Sequence, residues 1–192
     1  MNEAERNSEK TPQRVCPWWL AFTFDNALRR LFHRPEVLLG SLVGEGQTVL
    51  DLGCGMGYFS IGMARLVGEK GTVIAADLQE RMLERVRARS ARAGLAGRVK
   101  THLCEAHRIG LETPVDFALA FWMVHEVPDQ ASLFEELHAL LKPSASLFIV
   151  EPKLHVSGAA MRETERLAES AGFRVESRPR VSLSRAALLG RD

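Results

Sequence analysis

Several common protein classes find little support in this sequence. Cysteine occurs only at Cys16, Cys54 and Cys104, an odd number with wide spacing and no CxxC pair. Neither a disulfide framework nor a zinc site is indicated, and reduced thiols with no bound metal are expected. The spacing leaves a thiol-bound soft element such as arsenic open without suggesting it. Charge of one sign is also missing, since 25 Lys and Arg face 24 Asp and Glu. That balance gives no general attraction to nucleic acid or to an acidic membrane. No run approaches the roughly 18 apolar residues of a membrane span, and Met1 to Arg14 lacks the apolar centre of a secretory signal. A soluble, cytoplasmic protein is the expectation.

What is present suits one globular domain of 192 residues, 46% of them hydrophobic. Residues 1–14 carry too little apolar surface to offset the entropy of ordering and read as a flexible polar tail. Residues 15–44 form an aromatic-rich segment in which Trp18, Trp19, Phe22, Phe24, Leu28, Leu31 and Phe32 recur at roughly helical spacing. It reads either as a lid or as a helix packed on the domain that follows. From residue 45 the pattern alternates. Short apolar runs at Thr48 to Leu52, Thr72 to Ala76, Val99 to Cys104, Phe117 to Phe121 and Leu147 to Val150 are separated by segments of helical period. One of those segments carries Leu133, Phe134, Leu137, Leu140 and Leu141 before Pro143, and a last one runs from a Ser157 cap to Gly172. Apolar strands without in-out alternation, spaced by helices, predict an α/β fold whose parallel sheet is covered on both faces. Phe173 to Glu176 and Val181 to Leu188 read as two terminal strands. The Arg178-Pro179-Arg180 link is too short for a parallel crossover, so these two should pair as an antiparallel hairpin.

The richest chemical signal is Val49-Leu50-Asp51-Leu52-Gly53-Cys54-Gly55-Met56-Gly57, at the junction of the first strand and first helix. Glycines allow a tight turn and close approach of a ligand, and the helix start presents unpaired N–H donors. A dinucleotide fingerprint needs GxGxxG, and its last glycine would fall on Tyr58. A P-loop needs GK[ST], which does not follow. Asp51, just before the turn, would repel a pyrophosphate but favours a ligand bearing an ammonium and a sulfonium. Asp77 ends the second strand, where a carboxylate can accept both hydroxyls of a ribose. Glu105 and Ala106 follow the third strand and reach the same crevice, so a purine could lie between Leu78 and Ala106 with Glu105 near its exocyclic amine.

Taken together, Asp51-Leu-Gly-Cys-Gly-Met-Gly, the spacing to Asp77, the Glu105-Ala106 pair, and Asp116-Phe-Ala-Leu-Ala-Phe-Trp-Met-Val-His125-Glu followed by Leu140-Leu-Lys-Pro143 resemble the motifs of class I S-adenosylmethionine-dependent methyltransferases. The match spans about residues 45–152. The resemblance implies a Rossmann-like, doubly wound sheet of seven mostly parallel strands in the order 3-2-1-4-5-7-6, the last strand antiparallel. It implies S-adenosylmethionine as cofactor, with Gly53, Cys54, Gly55 and Gly57 against the methionine moiety, Asp77 on the ribose, Glu105-Ala106 on the adenine, and the Phe121 backbone near the methionyl end. Two departures stand out. Pro143-Ser144-Ala145 replaces the usual Pro-Gly-Gly turn, and Glu105 stands where an aspartate is often seen.

No obligatory catalytic residue follows from methyl transfer itself. A base is needed only if the nucleophile must lose a proton, and His125, Glu126, Glu151 and His155 fall near predicted strand ends. The sequence assigns none of them. No large insertion follows the fifth strand, so the acceptor pocket must come from the N-terminal segment and strand-end loops, or from a partner subunit in a homodimer. The arginines at 81, 85, 87, 89, 92 and 98 read as a solvated helix face because Glu80 and Glu84 interleave and no aromatic platform accompanies them. A small-molecule acceptor is therefore expected over nucleic acid. An RNA methyltransferase and a non-catalytic binding or regulatory protein on the same fold are the competing readings.

Overall fold

The computed structural model describes residues 32–191. The polar tail and the aromatic stretch through Leu31 lie outside the described residues, and with them the expectation of a lid. Of the segment 15–44, the described end forms helix α1 (Pro35–Leu39), which begins on a proline at its first turn. Pro35 sits against Gly62 so closely that a Cβ there would lie 2.2 Å from the proline ring.

Five strands and the helices between them then follow: β1 (Thr48–Leu52), α2 (Tyr58–Leu66), β2 (Thr72–Asp77), α3 (Glu80–Arg92), β3 (Val99–Leu103), β4 (Val115–Phe121), a 3-10 turn at Val124–Glu126, α4 (Gln130–Leu140) and β5 (Leu141–Pro152). The chain closes with α5 (Gly158–Ser170), β6 (Phe173–Ser177) and β7 (Ser184–Arg191). The sheet order is β3-β2-β1-β4-β5-β7-β6. All neighbours pair in parallel except β7, which runs antiparallel to both β5 and β6. This is the arrangement the resemblance implied.

Period-two burial explains the two-sided sheet. Val49, Phe117, Leu119, Phe148 and Val150 join one core with α2 and α3, while Leu50, Ala118, Ala120, Leu147 and Ile149 join the other with α4 and α5. Each fully buried Leu, Ile or Phe stabilises the layer by about 1.5–3 kcal/mol. At the far end from the glycine turn, Asp116 ties three strands: Thr48 N donates to its Oδ2 at 2.9 Å and Lys142 Nζ to its Oδ1 at 2.7 Å.

Strand five departs from the expected Leu147 to Val150. Helix α4 stops at Leu140, Leu141 already pairs with Val115, and Phe117 next pairs with Ser146. The intervening residues bulge, and Ser144, in place of a family glycine, takes a left-handed φ of 62°. The terminal hairpin also shifts. Val181 is buried in the core instead of opening a strand, and the chain turns on Leu183 at φ 58° before β7 starts at Ser184. The Ser157 cap is as expected, its hydroxyl accepting from Ala160 N at 3.1 Å. Replacing Ser157 with Ala should cost about 1 kcal/mol in urea denaturation, the usual worth of such a cap.

Candidate functional site

The carboxyl ends of β1, β2, β3, β4 and β5 open onto one cavity of about 950 Å³. Asp51, Gly53, Cys54, Gly55, Asp77, Leu78, Glu105, Ala106 and Phe121 all line it, so the structure brings together nearly every residue singled out from the sequence. Gly57 does not line it. It caps α2 at φ 78°, and a Cβ there would lie 3.0 Å from Val86. The third glycine of the motif therefore serves helix packing and turn geometry.

Gly55 carries the other functional turn. At φ 52° it has nothing within 4 Å of where a Cβ would sit, so its backbone faces open space. Its N–H donates to Asp77 Oδ2 at 2.9 Å, and Gln79 N donates to Oδ1 at 2.9 Å. One carboxylate thus fixes the glycine turn against the end of β2. Burial pushes the Asp77 carboxyl up, against the pull of the Gln79, Gly55 and Leu78 amides, so further donors would find a strong acceptor there. Asp51 is 2% exposed and accepts from the Ser60 hydroxyl on α2. From the outside, Arg89 Nη1 holds Met56 O at 3.1 Å. Arg87 engages Glu80 and Thr101, and Arg98 engages Glu69 and Ala64 O, so these arginines have partners within the chain.

Beyond β3, Glu105 and Arg108 exchange backbone bonds of 3.0 and 3.3 Å, which makes a small loop with Ala106 and His107 at its tip. Glu136 of α4 anchors it, accepting from Ile109 N and Gly110 N at 2.8 Å each. Sequence reasoning missed Glu136, Met82, Ile109 and Leu133, all of which line the cavity. Met82 and Leu133 carry only the helical periodicity that core residues share, and Ile109 lies in the loop after β3 with no periodic signal at all. The thiols here are held protonated. Burial first, then the Asp51 and Asp77 charges, raise Cys54 well above its ordinary value. Burial and the Asp77 and Glu136 charges push Cys104 up to about 12.

The opposite wall contains Phe121, Trp122, Met123, His125, Lys153, Leu154, His155 and Leu183. Trp122 is left-handed at φ 61°, an unusual state for an indole-bearing residue, and its Nε1 donates to Ser184 Oγ at 3.0 Å. His33 stacks edge-on against both Phe121 and Trp122, with its Nε2 2.7 Å from Ser182 O. His125 Nδ1 bonds Glu151, a carboxylate 1% exposed on β5 that also accepts from Val124 N at 2.9 Å. The bond to Glu151 raises the His125 pKa, and burial opposes it.

Fold and cavity together define a nucleotide-type α/β protein whose ligand end carries buried carboxylates in place of a phosphate cradle. A family model for the methyltransferase domain matches residues 44–177. The chain belongs to this methyltransferase domain family, for which S-adenosylmethionine is the implied cofactor. It is 32% identical over 128 residues to the ubiquinone/menaquinone biosynthesis C-methyltransferase UbiE of Marinomonas sp. (strain MWYL1), covering 65% of this chain and 49% of that protein. A counterpart in Haemophilus ducreyi is 31% identical over 110 residues, 57% of this chain and 42% of that one. The chain thus spans under half the length of these curated relatives. The crystal structure of a SAM-dependent methyltransferase from Aquifex aeolicus superposes with a TM-score of 0.81 at 27% identity, over 91% of this chain and 98% of that one. The [4+2]-cyclase SpnF shares the fold alone, with a TM-score of 0.69 at 17% identity over 83% of this chain and 80% of that one.

Two outcomes test this geometry. Gly57→Ala should lower stability by about 1–2 kcal/mol in urea titration, the cost of a left-handed residue that carries a Cβ. The His125–Glu151 pair raises the folded pKa of His125, so its contribution is complete below the unfolded value of about 6.5 and is lost as pH rises through the folded one. The stability gap between wild type and His125→Asn should therefore narrow as urea titrations move from mildly acidic to alkaline buffer.

Proposed function

We propose that this protein is an enzyme of the cytoplasm that transfers the methyl group of S-adenosylmethionine to a small-molecule acceptor. The observation that carries the reading is the conjunction at one cavity of an open glycine turn, the Asp51 carboxylate and the Asp77 carboxylate. These residues fit the cofactor. Gly55 leaves room for close approach, Asp51 has the sign of charge that an ammonium requires, and Asp77 lies where ribose hydroxyls can be accepted. Glu105 and Ala106, with Leu78 opposite, would border the adenine, and the turn from Gly53 through Gly55 would border the methionine moiety. When bound, the cofactor supplies an electrophilic methyl carbon on a cationic sulfur.

What the chain itself contributes is enclosure and orientation. A volume of about 950 Å³ stands at the upper end of the roughly 300–1,000 Å³ of single-ligand sites, which supports a second molecule beside the cofactor. Phe121, Trp122, Met123 and Leu154 give that second position apolar walls that exclude water from a displacement in which charge is dispersed. No helix among the described residues is long and apolar enough to cross a membrane. The near-neutral charge and the internally engaged Arg87, Arg89 and Arg98 support a small molecule over RNA.

Isothermal titration calorimetry with S-adenosylhomocysteine tests the cofactor assignment directly. Binding to the wild type is expected, and Asp77→Ala should weaken it by about 1–3 kcal/mol through the lost charged hydrogen bonds. Absence of binding by the wild type sinks the proposal, and an unchanged affinity removes Asp77 from the ribose.

A further inference from the structure

At the end of β4 the backbone passes through the left-handed Trp122 and then makes the short turn Val124–Glu126. That detour has a specific result. It lays Val124 N and His125 Nδ1 against the two oxygens of Glu151, which are thereby both used. Glu151 has no Lys or Arg partner among the described residues, although a carboxylate 1% exposed costs several kcal/mol to bury without compensation. Its compensation is one amide and one imidazole. A purely structural pair would enclose the ring, but His125 keeps 22% of its side chain exposed and lines the cavity. With Nδ1 turned to Glu151, Nε2 is the nitrogen left for another partner.

The surroundings are consistent with a working imidazole. Glu126 stands on the same turn and adds to the negative field, the His155 ring lies 5.7 Å away edge-on, and Lys153 and Asp129 line the same cavity. Around these groups the wall is apolar, from Trp122 and Met123 to the exposed Leu154 and Leu183.

We propose that His125 is the general base of the transfer, that Glu151 is a positioning residue which fixes the Nδ1–H tautomer, and that the acceptor is consequently a neutral, weakly acidic hydroxyl compound of phenol type. The proposal rests on the methyl-transfer reading above. The acceptor's O–H bond breaks as Nε2 takes the proton. The oxygen's electron pair forms the bond to the methyl carbon, and the carbon–sulfur bond breaks with its pair left on sulfur. The resulting imidazolium is held by Glu151 until the proton passes to solvent. An amine with a free lone pair would need no such base.

The test combines two measurements on the full chain. The first is an NMR titration of the His125 ring nitrogens, which needs no cofactor. The proposal expects Nδ1–H, Nε2 unprotonated in alkaline buffer, and a pKa that falls toward the ordinary value in Glu151→Gln. The opposite tautomer, or a pKa indifferent to Glu151→Gln, overturns it. The second measures methyl transfer to substituted phenols of graded acidity, with secondary amines as the contrasting probes and S-adenosylhomocysteine affinity checked in every variant. Wild type should methylate phenols in preference to the amines. His125→Asn should lose about 10²- to 10⁴-fold on phenols that are neutral in the assay buffer and keep near-wild-type rates on nitrophenols already ionised there. An equal loss on both kinds of phenol, no loss on either, or a wild type that binds the cofactor product yet methylates only amines or nothing in the panel overturns the proposal. A wild type that does not bind S-adenosylhomocysteine refutes the underlying reading instead, while the NMR result still decides whether Glu151 sets the tautomer.

Discussion

On either side of β1 the chain winds in opposite directions. β2 and β3 lie to one side, β4 and the later strands to the other. Since every crossover must keep the same hand, the helices that follow β1 and β4 pass over different faces, and no connection fills the space above the carboxyl ends of those two strands. That space is the cavity. Its position is dictated by topology, whereas its chemistry is dictated by the few residues near each strand's end: Asp51 with the glycines on β1, Asp77 on β2 and Phe121 on β4, with Glu151 of β5 reaching it through His125. A two-sided apolar sheet is what makes these ends rigid enough to hold a ligand, because both faces of β1 and β4 are packed.

Three of these residues are carboxylates with little solvent, and each solves its desolvation differently. Asp51 takes a hydroxyl from the next helix, Asp77 takes backbone amides, and Glu151 takes an amide and an imidazole. At Asp77 neutral donors satisfy hydrogen bonding without cancelling charge, so the negative field at the end of β2 remains available to a cationic ligand. At β5 the arrangement is inverted, since the titrating partner belongs to the protein and can carry the positive charge itself. The β2 end of the cavity thus carries a fixed carboxylate, whereas at β5 the carboxylate is paired with a titrating imidazole.

Much of this was legible in the residues. The strands, the terminal hairpin and the glycine turn followed from period and spacing, because apolar runs, short links and glycine clusters are local signals, whereas the strand order came from the resemblance alone. The packing of Gly57 against Val86 was not legible, because Val86 lies on another helix and sequence gives no sign of that approach. The start of β5 was misplaced because Leu141 continues the helical period of α4, and only pairing with Val115 makes it a strand. Val181 and Leu183 alternate with serines as a strand would, yet the register of β7 against β5 sets the strand's start at Ser184. The His125–Glu151 pair was out of reach for another reason. Both residues were noted at strand ends, but their contact depends on the Trp122 reversal, which no propensity anticipates.

The two cavity cysteines bear on how this site would meet reactive molecules. A thiol attacks electrophiles as its anion, and burial together with the neighbouring carboxylates keeps Cys54 and Cys104 in the neutral form at cellular pH. The cavity can thus offer sulfur atoms to a sulfonium-bearing ligand, whose own methyl carbon is an electrophile, without being alkylated by it. The negative field of the neighbouring carboxylates that would draw a cationic ligand in also keeps both thiols protonated, the form least able to take a methyl group from it.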